Sequence, residues 1–320
     1  MKNARMTICL VVVCVMAVAN VVWADTVGTV GYEFTIDFVP ISGSTNPGSG
    51  YGIVANDYRM GTYEVSNAQW TKFTAAYGEI TGSDGSWSGT TFYSAYDQNP
   101  YWTGTNVSTN GASWYEAAQF VNYLNTSTNH TAAYKFTGTQ GQSDYTLGVW
   151  QSGDVGYSAS NPYRNSNAYY FLPTENEWVK AAYWNGTGLQ TYANASAGDL
   201  VSGLPDPAKW NYSPSVGSEP WNVTSGSQEL NGTYNMMGNV WEWMESPYYS
   251  GQYQSDSIRV LRGGSFDHAG ADLASSSNRN NADPYSEGSS IGFRVASVPE
   301  PATLLLLGLG AVGLFRKRVR

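Results

Sequence analysis

The sequence predicts an α+β fold with few helices and many short strands. Three observations carry that expectation. Three separate segments open with the same helix-capping signature, short extended runs lie between them, and the intervening chain is rich in Gly, Ser, Asn and Trp with no internal repeat and no heptad pattern. The organisation read along the chain is a leader over 1–24, an extended lead-in over 25–51, a body over 52–297 and a tail over 298–320.

The front carries Lys2 and Arg5, an apolar run from Ile8 to Val18, and Val22-Trp23-Ala24 ahead of Asp25. A positive start, a short apolar stretch and small residues at the −3 and −1 positions describe a secretory leader cleaved after Ala24. The run is shorter than the ~20 residues a membrane-spanning helix needs. In the lead-in, Tyr32, Phe34, Ile36 and Phe38 alternate with polar residues, which predicts a half-buried strand. A Gly/Ser/Asn/Pro loop follows from Gly43 to Tyr51.

The helix starts are Ser66-Asn67-Ala68-Gln69, Ser113-Trp114-Tyr115-Glu116 and Thr174-Glu175-Asn176-Glu177. Each reads [ST]-x-x-[EQ], so the first side chain accepts from the N3 amide while the N3 side chain reaches back. Apolar residues follow at helical spacing: Trp70, Phe73 and Tyr77; Ala117, Phe120, Val121 and Leu124; Trp178, Ala181 and Ala182. These stripes are core faces. Residues 137–161, with few aliphatics, read as a surface insertion.

Composition narrows the function. The chain has 320 residues, 42% hydrophobic and 13% charged, with 16 Lys and Arg against 25 Asp and Glu. Six of the 16 bases and none of the acids lie in 1–24 and 302–320, so 25–301 holds ten bases against 25 acids, a net charge of −15. A body that acidic repels a phosphate backbone, and no nucleic-acid partner is expected. Both cysteines, Cys9 and Cys14, fall in the leader, so its removal leaves no thiol.

The back of the chain reads Val298-Pro299-Glu300-Pro301, an apolar segment from Ala302 to Phe315, then Arg316-Lys317-Arg318-Val319-Arg320. The basic cluster favours the cytoplasmic side. This order resembles the bacterial PEP-CTERM sorting signal. The resemblance implies a processing peptidase of the exosortase type as partner and transient membrane association through 302–315; a permanent anchor is the alternative.

Six phrases occur in order along the body: Tyr63-Glu64-Val65-Ser66-Asn67-Ala68-Gln69-Trp70, Ala112 to Ala118, Phe171-Leu172-Pro173-Thr174-Glu175-Asn176-Glu177-Trp178, Gly238-Asn239-Val240-Trp241-Glu242-Trp243, Leu261-Arg262-Gly263-Gly264-Ser265-Phe266, and Ile291-Gly292-Phe293-Arg294-Val295. Together they resemble the sulfatase-modifying-factor domain, the fold of the formylglycine-generating enzyme, over residues 52–297. The resemblance implies an irregular fold related to C-type lectins. Gly263 and Gly264 permit a backbone path that a Cβ would block. Arg262 and Arg294 are expected to pair with buried carboxylates such as Glu242 or Glu177.

The formylglycine-generating enzyme oxidises a substrate cysteine with oxygen, using copper held by two cysteines shortly after the Arg-Gly-Gly-Ser phrase. Those positions fall on His268 and Leu273 here. Cu(I) selection relies on thiolate or thioether ligands, so no copper is expected. A second branch of the family holds iron on three histidines, and this chain has two, His130 and His268. The family also holds structural Ca2+. One site maps to Asn239, the Val240 carbonyl and Glu242, hard oxygen ligands of the kind Ca2+ takes; the other reading of Glu242 is a salt bridge to a core arginine. A second site maps to Asn211 and the Tyr212 carbonyl, with its downstream stretch shortened to Ser215-Val216-Gly217-Ser218.

Two functional readings follow. The first is an exported, non-catalytic binding or structural module of the cell surface or extracellular matrix. A glycan or protein ligand would meet Ser265, Asp267, His268, Asn278, Arg279, Asn280, Asn281 and Tyr285, whose amide, guanidinium and phenol groups suit polar ligands. The second is an enzyme, either a formylglycine-type oxidase or another reaction on the same scaffold.

Overall fold

The computed structural model describes residues 23–78, 101–140, 144–196, 198–214 and 217–299. Most of the leader, the segment from 300 onward and the Ser215-Val216 part of the second calcium stretch lie outside them. The described chain has three α-helices and eleven short strands.

A five-stranded sheet divides the body. Its order is β1 (Trp23–Val27), β2 (Phe34–Ile41), β3 (Tyr58–Gly61), β11 (Ala296–Ser297) and β6 (Tyr170–Phe171), with each neighbouring pair antiparallel. The expected alternation appears in β2, where Phe34, Ile36 and Phe38 are buried. Tyr32 departs from it. It lies in the turn before β2 and is exposed, because the β1–β2 reversal intervenes. The lead-in is extended, and β2 pairs through Phe34–Phe38 with β1 and through Phe38–Ile41 with β3.

Successive strand residues point to opposite faces, so this sheet has a core on each side. Phe34, Ile36 and Phe38 join Trp70, Phe73 and Phe120 on one face. Val39, Ile41, Tyr58 and Met60 join Trp178, Val179 and Tyr183 on the other. Helices α1 (Asn67–Tyr77) and α2 (Trp114–Ser127) cover the first face and α3 (Glu175–Tyr183) the second. All three capping boxes form as read from the sequence. A four-stranded sheet, β10 (Ile291–Gly292), β7 (Trp241–Pro247), β8 (Arg259–Arg262) and β9 (Asn280–Ala282), contributes Trp241, Trp243 and Leu261 to the first core and Met244 and Val260 to the second. The 137–161 segment carries part of a small ribbon, β4 (Phe136–Thr137) with β5 (Thr146–Leu147), and is tied down by a bond from Trp150 Nε1 to the Ala133 carbonyl at 2.9 Å.

Helix α2 exceeds its expected stripe, since every residue from Trp114 to Asn125 is buried. Its polar positions are hydrogen-bonded to the chain around it. Asn122 both donates to the Tyr134 carbonyl and accepts from its amide, at 2.8 Å each. Asn125 accepts from the Tyr169 and Tyr170 amides at 2.9 and 3.0 Å and donates to the Tyr170 carbonyl at 2.8 Å. These side chains stand in for a neighbouring strand and satisfy backbone groups that burial would otherwise orphan.

Two of the expected arginine pairings are resolved, and one is corrected. Arg294 takes Glu242 through two bonds of 2.7 Å, with both side chains wholly buried. Arg262 pairs with Glu175, not Glu177. Glu177 is held by its own cap and by Arg164, a loop residue lying 3.6 Å over the Phe171 ring.

Glu229 is buried with no ion pair among the described residues, accepting from the Met236 and Met237 amides and from Thr233 Oγ1. Burial raises its pKa from 4.5 to about 7 against the opposing pull of Arg294 and those donors. A carboxyl with a raised folded pKa holds its proton more tightly when folded. Its stabilisation is therefore complete below about pH 4.5 and is lost as pH rises through about 7.

Two measurements check these readings. Asn125→Ala removes two acceptor bonds from buried amides and is expected to cost about 3 kcal/mol in urea unfolding. Glu229→Gln is expected to remove a fall of about 3 kcal/mol in unfolding free energy between pH 4.5 and 7.5 that the parent protein shows. Glu64, shifted in the same direction, leaves a residual slope of the same sign.

Candidate functional site

The segment after β8 turns sharply through Gly263 and Gly264, whose φ angles of +101° and +78° favour glycine. At Gly264 a Cβ would press on the backbone of Leu273 at 3.3 Å. This turn delivers Ser265, Asp267 and His268 to one place. Ser265 Oγ donates to Asp267 Oδ1 at 2.5 Å and lies 2.7 Å from His268 Nδ1, with Asp267 Oδ1 2.9 Å from the same nitrogen. Trp241 Nε1 donates to that nitrogen as well, at 3.3 Å, its ring edge-on to the imidazole. Nδ1 therefore faces a carboxylate oxygen, a hydroxyl and an indole N–H together.

The trio has the residue types of a hydrolytic triad but not its wiring. A triad sets acid and nucleophile on opposite ring nitrogens; here both converge on Nδ1. Ser265 is moreover 1% exposed, while His268 and Asp267 are 40% exposed. The cluster fixes the imidazole and turns Nε2 away from Ser265.

The other residues of the anticipated surface are dispersed. Leu273 sits in a tight turn, Ala271–Ala274, and packs against the first core. The Asn278 carbonyl accepts from Arg262 Nη1. Arg279 meets Glu175 through Nε and Nη2, at 2.9 Å each. Asn280 and Asn281 lie on β9, the edge strand of its sheet, where Asn280 Oδ1 accepts from the Asn281 amide at 2.9 Å. Tyr285 donates to Asp283 at 3.1 Å and packs on the first core.

Beneath the turn lies a buried polar cluster that includes the residues singled out for calcium. Asn239, at φ +60°, directs its amide oxygen to Asn211 Nδ2 at 3.0 Å and the Trp221 amide at 2.7 Å. Its amide nitrogen donates to Glu64 at 2.6 Å. Both Glu242 oxygens lie on Arg294, and one also accepts from Trp178 Nε1 at 2.8 Å. The side-chain oxygens of Asn239 and Glu242 are thus engaged by donors of the protein itself. Asn211 gives its amide nitrogen to Asn239 and the Glu219 carbonyl, and the Tyr212 hydroxyl donates to the Leu200 carbonyl at 2.8 Å. Gly238 shows how tightly the strands approach, since a Cβ there would lie 2.3 Å from the Asn211 carbonyl oxygen.

Glu64 is the member that sequence reasoning missed. Burial, then the adjacent Glu242 carboxylate, pushes its pKa well above the usual range, opposed by Arg294 and by the Asn239 and Val240 donors. Its Oε1 is buried without a hydrogen-bond partner. The available signal was its position in an extended phrase between a buried strand and a buried cap.

The Sulfatase-modifying factor enzyme 1-like domain matches residues 24–298, and the PEP-CTERM protein-sorting motif matches residues 297–319. The sorting motif indicates export and processing at the cell envelope, with recognition by an exosortase. Inactive C-alpha-formylglycine-generating enzyme 2 of Mus musculus is 33% identical over 139 residues, covering 39% of this chain and 42% of that protein. The Bos taurus protein of the same name is 32% identical over 139 residues, 39% of this chain and 43% of its own length. The chain thus spans less than half the length of these curated relatives. Among solved structures, Treponema denticola variable protein 1 superposes with a TM-score of 0.55 at 22% identity, covering 88% of this chain and 100% of that one. CarF gives 0.55 at 20% identity, covering 83% and 99%. These neighbours share the fold, an α+β arrangement of few helices and many short strands. The match across nearly all of the described body, with the six phrases at its core, shows that the chain belongs to the sulfatase-modifying factor enzyme 1-like domain family.

Proposed function

We propose that this protein is an exported binding or structural module of the cell surface or matrix, built on a formylglycine-generating-enzyme-like scaffold without its copper redox chemistry. The observation that carries the reading is the pair of residues following the Arg262-Gly263-Gly264-Ser265 turn. Where the family places two thiolates, His268 offers one imidazole with Nδ1 already engaged, and Leu273 offers a hydrocarbon packed on the core. No cysteine lies beyond Cys14. Cu(I) needs soft sulfur donors, which these positions lack. The name of the mammalian relatives, which describes them as inactive, agrees with this reading. The C-terminal segment would hold the protein at the membrane through 302–315 until an exosortase-type peptidase cuts it.

The competing reading is a residual oxidase or another reaction on the same scaffold. A direct assay separates them. The purified full-length protein is incubated with Cu(I), oxygen and a Cys-x-Pro-x-Arg peptide, and aldehyde is followed by mass spectrometry. The expected yield equals the copper-free blank. Aldehyde above that blank overturns the proposal.

A further inference from the structure

The most unusual charge arrangement near the surface lies at the N-terminus of α3, away from the Ser265–His268 turn. Glu175 accepts from two arginines, Arg262 at 2.6 Å and Arg279 at 2.9 Å, and among the described residues no second carboxylate lies within 4 Å of either guanidinium. Arg262 is fully buried, and its Nη1 is committed to the Ser276 and Asn278 carbonyls. Arg279 is 23% exposed. Its Nε and Nη2 are used by Glu175 and the Tyr248 carbonyl, but its Nη1 has no hydrogen-bond partner among the described residues. The positive end of the α3 dipole adds to the local potential.

Aromatic rings wall this guanidinium. The carbon at the centre of the Arg279 guanidinium lies 4.2 Å from the Tyr248 ring centroid and 5.6 Å from that of Tyr51. Tyr249 packs edge-on against Tyr248 at 5.2 Å. Tyr51 and Tyr249 are 37% and 55% exposed. No hydrogen bond engages the hydroxyl of Tyr51 or Tyr248 among the described residues. The Arg164 cluster nearby has the opposite imbalance, one guanidinium between Glu177 and Glu245, but all four of its carboxylate oxygens are occupied. It tempers the potential without satisfying Arg279.

We infer that Arg279, with Tyr51, Tyr248 and Tyr249, forms a binding site for a carboxylate-bearing saccharide, a uronate unit of an acidic glycan. This rests on the reading of the protein as a surface binding module. The unengaged Nη1 of Arg279 can donate a charge-assisted bond to a carboxylate oxygen. Exposed tyrosine faces suit the C–H face of a pyranose, and their hydroxyls its polar rim. An acidic peptide would use the charge but leave the ring faces unfilled. The net −15 of the body disfavours a densely charged polyanion such as a phosphate backbone, whereas one uronate carboxylate at contact distance meets the local surplus of two guanidiniums on a single carboxylate, with charges beyond ~8 Å largely screened.

The test is calorimetry on the full-length protein in mild detergent with tetragalacturonate, maltotetraose and tetraglutamate. Tetragalacturonate alone is expected to bind, and Arg279→Gln to weaken it at least tenfold. Should that variant fail to fold, the double change Tyr51→Ala with Tyr249→Ala decides, since it leaves both Glu175 pairs intact; it too is expected to weaken binding at least tenfold. No binding of tetragalacturonate, equal binding of either control, or unchanged affinity in the tyrosine variant overturns the site. Such a failure with no aldehyde formed leaves the non-oxidase reading standing, whereas aldehyde formation overturns that reading whatever binds.

Discussion

The Arg294–Glu242 pair is the joint on which the two sheets depend. Glu242 lies on β7, between Arg262 of β8 and Gly292 of β10. Arg294 stands just before β11 and, besides Glu242, donates to the carbonyls of Gly61, Thr62 and Tyr234. Glu242 also receives the Trp178 indole from α3. One wholly buried ion pair thus links both sheets, a helix and the loop before β7. Desolvating two charges is costly, and such a pair contributes little when compared with a well-packed apolar substitute. Removing one partner is different, because it strands the other charge and costs about 3–5 kcal/mol. The satisfied N–H groups of Arg294 make the pair a device for fixing geometry, which an irregular fold with two-residue strands needs more than a long-stranded one does.

Around that joint the remaining arginines are distributed unevenly, and the unevenness follows from α3. Its first turn carries two glutamates, Glu175 and Glu177. The capping box commits Glu177 to Thr174, and Arg164 closes on it from one side. Glu175, the first helical residue between the two members of the box, is left to Arg262 and Arg279. The sequence shows two acids two residues apart but not which arginine reaches which. That outcome depends on the loop carrying Arg164, which has no periodicity to read.

The same distinction governs what was legible overall. Capping boxes are local, so all three helix starts could be located, as could the buried alternation of Phe34, Ile36 and Phe38. The glycine pair at 263 and 264 announced a turn because only a positive φ explains it well. The order β3–β11–β6 could not be read, since strands of two residues carry no pattern and their pairing is set by distant packing. Nor could the role of Asn122 and Asn125, because an asparagine on a helix reads as a solvent-facing residue unless its partners are known. At the site, Ser265, Asp267 and His268 lie within four residues and were bound to meet. Arg279, Asn280 and Asn281 were grouped by polarity alone, and the fold sends their side chains to different work.

The turn that bears His268 and Leu273 holds itself together without a ligand. Leu273 packs on the first core, and burying a leucine side chain even in part is worth about 1–2 kcal/mol. Gly264 lies close against the Leu273 backbone, the Ser213 amide donates to the His268 carbonyl at 2.9 Å, and Trp241 meets the imidazole. Two thiolates in the same place would carry negative charge that a cation must offset; the Leu273 side chain carries none. The loop's conformation is therefore carried by contacts within the chain, and the Arg279 guanidinium, paired with Glu175, lies further along the same segment.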